Sequence, residues 1–316
     1  MNSTTDVIEP KLREHFISSA MAAVPTETLQ LLGTDSVRNA IKAEIATAAS
    51  RVTDIEFAEA FRQWCSIEGA TTDDYLHKLV ENDNESALVS MRFRGGDRDR
   101  PFVHVHALSS PGRASAEMKN AIVSAYSRFN PRVIRWFDSA PVDKLDVDLQ
   151  PDLRLFAGTL ATVRDSRPEG AERLMLTRAV DLGWRDRYEQ IYSEYLTSNP
   201  SLVGDLFSEN EESLRGMLDN GTLFEAWYDD EWAGIVGVRK ERDYFVNGYC
   251  VIERALVTKL HGMQLGAAML WRLAATLDAP GDDILYGTIH PSNVRSQRSA
   301  ERVGRRDIGG YVFEGV

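Results

Sequence analysis

The chain has no run approaching the ~18 consecutive apolar residues of a membrane-spanning helix, so no membrane association is expected. Cysteine is scarce. Cys65 and Cys250 lie far apart and form no CxxC or zinc-type pattern. A disulfide between them stays open, and the reduced thiols of a cytoplasmic protein are the plainer reading. The sequence lacks GxxxxGK[ST], GxGxxG and GxSxG, the core residues of nucleoside-triphosphate, Rossmann and serine-hydrolase sites. Positive charge is short as well: 36 Lys and Arg stand against 48 Asp and Glu, a formal charge of −12. That balance argues against a nucleic-acid partner, which would draw on Lys and Arg contacts to phosphate. The stretch MNSTTDVIEPKLREHF carries Glu9 and Glu14 where a signal peptide needs net positive charge, and a cytoplasmic location is expected.

What is present is ordinary globular material. Of 316 residues, 43% are hydrophobic and 27% charged, enough for two domains or one large one. Helical spacing runs through 8–32, 36–49 and 54–67. Near residue 86 the period changes to that of strands. SALVSMRFR and PFVHVHAL read as strands joined by GGDRDR, followed by a helix at 114–129 and a strand at 132–138. Residues 153–164 offer a further strand. The segment DSRPEGAE, 165–172, combines Pro, Gly and charge and is the best linker. Beyond it the pattern predicts a strand at 174–180, helices at 184–197 and 209–219, and strands at 222–229, 232–240 and 246–258. A helix at 263–277, a strand at 283–289, a helix at 293–303 and a strand near 307–314 complete the order.

The chemically informative stretch is Val251–Leu270. A strand passes through a turn containing Gly262 into a helix that begins with the small residues Gly266, Ala267 and Ala268. Free N–H groups at a helix start, small side chains and the positive dipole end make an anion site suited to pyrophosphate. A packed helix after a simple turn would show the same residues. His104 and His106 alternate on one expected strand and share a face, but no third metal ligand stands at sensible spacing. Trp64, Trp136, Trp184, Trp227, Trp232 and Trp271 are scattered and suit packing better than base stacking.

The element order over 172–316 resembles the GNAT family of acyl-CoA-dependent N-acyltransferases. The family's Arg/Gln-x-x-Gly-x-Gly/Ala motif has its counterpart in His261-Gly262-Met263-Gln264-Leu265-Gly266. The later motif is matched by Asn293, Ser296 and Gly304 after the strand DILYGTIH. There are departures: His261 stands for Arg, Gln264 for Gly, and Ala300 for a frequent Tyr. The resemblance implies an α/β (α+β) fold, a mixed and mostly antiparallel sheet flanked by helices over 172–316. A helical plus small α/β domain over 1–165 precedes it. The first half echoes the same pattern without the Gly turn, at Ser109-Ser110-Pro111-Gly112-Arg113. It reads either as a degenerate GNAT-like domain or as an unrelated cap that supplies an acceptor pocket or the surface of a homodimer.

The resemblance also implies acetyl-CoA or another acyl-CoA as co-substrate, no metal, and a small-molecule primary amine as acceptor. Its cofactor-binding residues would be Leu256, Val257, Thr258, His261, Gly262, Met263, Gln264, Leu265, Gly266, Ala267, Asn293 and Ser296. A backbone N–H near Leu256–Thr258 would polarise the thioester carbonyl. Glu253 would take the amine proton through water, and Ser296 or Ser299 would protonate the leaving sulfur. Arg295, Arg298, Arg302, Arg305 and Arg306 form the one basic patch, fit for a 3′-phosphate or for balancing nearby acids. Two rival functions follow from the altered motif: a catalytically silent CoA-binding or scaffolding protein, and a protein or aminoacyl-tRNA N-acetyltransferase.

Overall fold

Pro25 interrupts the first expected helix. Its ring removes a donor, and it ends up as the cap residue between two shorter helices, α1 (Pro10–Ala22) and α2 (Thr26–Leu32). The computed structural model describes residues 8–204 and 206–316, with only the backbone of Ser201. The first seven residues of the expected signal-free N-terminus therefore lie outside the described residues. No described helix is long and apolar enough to cross a membrane.

The described chain divides into two units. The first comprises Met1–Asp152, Tyr244–Val246 and Gly310–Val316; the second comprises Leu153–Asp243 and Asn247–Gly309. Residues 153–165 thus group with the second unit and 310–316 with the first, in place of a single break at 165–172.

In the first unit, α3 (Thr34–Ser50) and α4 (Ile55–Trp64) precede the strands β1 (Lys78–Glu81), β2 (Ser86–Phe93) and β3 (Pro101–Leu108). Helix α5 (Ala116–Ala125) and strand β4 (Val133–Asp138) follow. β1, β2 and β3 pair antiparallel in chain order, whereas β3 and β4 pair parallel. The crossover through α5 is what a parallel pair requires. β1 is missing from the sequence reading because KLVE is too short for a clear period. Met118 and Ile122 of α5 pack with Val89, Met91, Val103 and Ile134 in the core beneath the strands.

His104 and His106 share a face as expected, with ring centroids 4.6 Å apart. His106 bonds to Ser90 and Glu44, each at 2.9 Å, and stacks on His77. Burial holds both rings below the ordinary histidine value. Among the described residues, no group of three or more His, Cys, Asp or Glu side chains could hold a metal ion.

The second unit takes in β5 (Leu149–Thr159) from Leu153 onward, then α6 (Leu160–Asp165), β6 (Leu174–Arg178), α7 (Arg185–Ser198) and α8 (Glu211–Asp219). Strands β7 (Leu223–Tyr228), β8 (Glu231–Asp243) and β9 (Val246–Leu256) come next. The chain continues through α9 (Leu265–Thr276), β10 (Ile284–Ile289), α10 (Val294–Arg302) and β11 (Arg306–Gly315). The strand order is β5-β10-β9-β8-β7-β6. β5/β10, β7/β8 and β6/β7 are antiparallel, and β9/β10 is parallel. The last seven residues of the chain return to the first unit, where Val312 registers with Trp136 of β4 in an antiparallel pair. The fold is mixed α/β with mostly antiparallel sheet.

The feature that positions the site is a divergence. β9 and β10 are in register only at Tyr249–Leu285 and Cys250–Tyr286, after which β9 runs on to Leu256 beside β8. Apolar residues of α9, among them Ala267, Met269, Leu270 and Leu273, bury against this sheet together with Phe224, Val236 and Leu285. The helix start is thereby held at the mouth of the divergence.

Candidate active site

The expected turn into α9 is bent by two left-handed residues. Gly262 has φ +89°, and Gln264, the residue before the helix, has φ +61°. An L side chain at such an angle is strained, so Gln264 occupies a place that glycine would fill more cheaply. No side chain caps the helix start, and the cap position is taken by backbone alone. The first N–H groups of α9 therefore face the cleft without a side-chain partner, at the positive end of the helix dipole. Gly266 is needed for space: a Cβ there would lie 2.8 Å from Ser299 Oγ and 3.4 Å from an Arg254 nitrogen.

A cleft of about 460 Å³ opens between β9, the α9 turn, α7 and α10. Of the sequence-predicted residues it gathers Leu256, His261, Gly262, Gln264, Leu265, Gly266, Asn293, Ser296 and Ser299. Val257, Thr258 and Met263 stand outside the lining, and Ala267 is fully buried in the core. Its charged lining consists of Arg254, Arg295, Arg298 and Arg302, with no Asp or Glu. Arg305 leaves the expected basic patch: it is buried and donates to the Phe156 carbonyl at 2.8 and 3.1 Å. Arg306 is exposed on β11 and does not line the cleft.

Arg254 went unnoticed in the sequence because nothing local marks it. One guanidinium nitrogen donates to the Gly266 carbonyl at 3.2 Å and another to Ser296 Oγ at 2.9 Å. A single side chain on β9 thus ties the starts of α9 and α10 together. Burial lowers its pKa to about 10, so it stays charged at neutral pH. Ser296 accepts this bond and keeps its own proton to give. Ser299 spends its proton on the Arg295 carbonyl at 2.9 Å. Asn293 caps α10, its Oδ1 accepting from the Ser296 N–H at 3.2 Å and from Tyr195 at 3.4 Å. His261 places Nε2 3.0 Å from the Leu256 carbonyl and its ring edge-on to Tyr195. Its ring is held by the protein's own backbone. At the expected tyrosine position Ala300 is buried against Phe156 and Ile289.

Glu253 sits beneath the cleft and is only 4% exposed. It accepts from the Tyr188 hydroxyl, from Tyr192 at 2.9 Å and from the Arg254 N–H at 2.6 Å. Burial pushes its pKa up to about 7, against hydrogen bonds that pull it down. Tyr192, which the sequence reading missed, lines the cleft and stands between it and Glu253. Its own pKa is well above the ordinary value, chiefly through burial and then the adjacent Glu253, so it carries a hydroxyl rather than a phenolate.

Backbone direction can be read from β8. Val257 N–H donates to the Ala233 carbonyl at 2.9 Å, and the Ala255 carbonyl faces Gly234. Peptide groups alternate along a strand, so the Leu256 N–H points away from β8, towards the divergence. Within the expected range Leu256–Thr258 the Val257 N–H is already engaged, which leaves the Leu256 N–H facing the divergence.

No family model matches the chain, and no curated protein matches it. Solved structures do. They include GCN5-related N-acetyltransferases. One from Sphaerobacter thermophilus is 15% identical, with 81% of this chain and 83% of that chain covered and a TM-score of 0.49. One from Kribbella flavida is 11% identical, with 83% and 95% covered and a TM-score of 0.46. A tandem GNAT protein from the clavulanic acid biosynthesis pathway is 13% identical, with 83% and 95% covered and a TM-score of 0.42.

Proposed function

We propose that the second unit is an acyl-CoA-dependent N-acyltransferase, with acetyl as the acyl group and a small primary amine as acceptor. The observation that carries this reading is the acid-free, four-arginine cleft at an uncapped helix start, beside a strand edge and above a buried carboxylate. Pyrophosphate would lie on the α9 N–H groups, with Arg295, Arg298 and Arg302 answering the remaining phosphate charge. The Leu256 N–H would donate to the thioester oxygen as it becomes an oxyanion.

The amine nitrogen bonds to the acyl carbon, and the carbon–sulfur bond breaks. The amine's proton passes to the Tyr192 oxygen while Tyr192 gives its own to Glu253, so the carboxylate acts without touching substrate. The sulfur leaves as thiolate, which its ordinary pKa of about 8.5 permits; the Ser296 hydroxyl would donate a hydrogen bond to it, and solvent supplies its proton.

The test is thermal shift with acetyl-CoA and longer acyl-CoAs, followed by thiol release with an amine panel. Stabilisation with release supports the reading, and no stabilisation by any acyl-CoA overturns it. Stabilisation without release across the panel would make the unit a silent CoA-binding module. The rate should rise through about pH 7 as Glu253 ionises, and Glu253→Gln should remove that limb of the profile. The same group affects stability with a defined sign. The folded carboxyl titrates at about 7 and the unfolded one at about 4.5, so stability falls as pH rises through that window. Glu253→Gln should flatten this fall in denaturant titrations at pH 5 and pH 8.

A further inference from the structure

We propose that the first unit carries a separate binding site for a small, multiply charged anion of the phosphate-ester class. A pocket of about 480 Å³, within the usual size range for small-molecule sites, lies at the start of β3. Arg94, Arg98, Arg100 and Arg132 line it; Asp99 in the lining and Asp152 against Arg94 are the facing carboxylates, which leaves 4 − 2 = 2 formal positive charges. In a chain of net charge −12, this is a local reversal of sign. Field lines converge in such a concave patch and concentrate anions there.

The local fold explains how the arginines converge. Gly95 and Gly96, with φ +61° and +74°, turn the chain sharply after β2, so the short link to β3 presents Arg94, Arg98 and Arg100 to one pocket. Arg132 comes from the residue before β4. The floor is aromatic, formed by the buried Phe102, Phe129 and Phe313. Arg94 is oriented by the protein: its guanidinium lies 5.0 Å from the Phe313 ring centre and 3.9 Å from Asp152. Among the described residues, neither Arg98 nor Arg132 has a carboxylate within ion-pair distance, and both are exposed at the rim. Guanidinium forks beside an aromatic floor suit the oxygens of phosphate bidentately.

The pocket is not the counterpart of the α9 cleft. The matching place in this unit is the turn after Leu108, at the other end of β3 and roughly 23 Å along the strand.

Hydrogen–deuterium exchange on the full chain with sodium pyrophosphate as probe tests the site. Protection of 94–102 and 129–133 is expected. Arg98→Ala/Arg132→Ala, both at exposed positions, should abolish it and weaken pyrophosphate binding at this site about tenfold or more in calorimetry, equivalent to about 1.4 kcal/mol. Acetyl-CoA stabilisation should be unchanged in that variant, so failure here and failure of the acyltransferase reading are distinguishable. Protection confined to 256–266, or unchanged in the double variant, would overturn the proposal. So would a short single-stranded RNA that protects the same segments more strongly than pyrophosphate at equal ionic strength, because the pocket would then be part of a nucleic-acid surface.

Discussion

The two units run the same local sequence of elements, two strands, a helix and a strand parallel to the second, and handle the helix start in opposite ways. In the first unit the start of α5 is closed by its own chain. Ser115 accepts from the Met118 N–H at 3.1 Å, and the Glu85 carboxylate accepts from the Ser115 N–H at 3.1 Å and from Ser110 at 2.7 Å. Burial opposes the charge on Glu85, yet the bonds from Ser115 and Ser110 hold its pKa below the ordinary value. A protein carboxylate thus stands where an external anion would sit. In the second unit no side chain caps α9, and arginines replace the acid. One local order of elements yields a sealed end and an open one, and the difference lies in which partner satisfies the first N–H groups.

Four substitutions sharpen or break that contrast. Gly266→Glu should have the largest effect, placing a carboxylate and extra bulk at the open end beside Ser299. Loss of acyl-CoA affinity by about 100-fold or more, read by calorimetry with circular dichroism unchanged, is expected. Retained affinity would move the phosphate site elsewhere. Glu85→Ala at the sealed end should cost about 2 kcal/mol in denaturant titration and confer no acyl-CoA binding, since no arginines gather there. Gain of binding would mean that the carboxylate alone separates the two ends. Ser115→Ala should cost about 1 kcal/mol, the ordinary value of a helix cap. Gln264→Gly should stabilise by about 0.5 kcal/mol, the left-handed strain relieved being partly offset by chain entropy. A loss of stability there would show that the Gln264 side chain holds the turn.

The contrast also shows where sequence is readable. Gly262, Gly266, Asn293 and Ser296 were legible because turns and caps are local and their spacing is fixed by one helix turn. Helix and strand positions in 174–314 followed from hydrophobic period for the same reason. Arg254, Tyr192 and Tyr195 were not legible, because their roles arise only when α7, β9, α9 and α10 pack. Glu253 was visible as a carboxylate on a strand, but nothing adjacent announced its burial under two tyrosines. Arg305 was miscounted for the converse reason: five arginines close in sequence look like one patch until packing turns one of them inward. The role of Glu85 was missed because its partners Ser110 and Ser115 lie 25 and 30 residues away.

The return of Gly310–Val316 to the first unit has a consequence for the order of events at the ribosome. The N-terminal unit cannot close its sheet as it is synthesised, because β4 waits for a strand made about 170 residues later. β11 divides between the units at Gly309–Gly310, so the strand that completes the first sheet is made together with the last segment of the second unit.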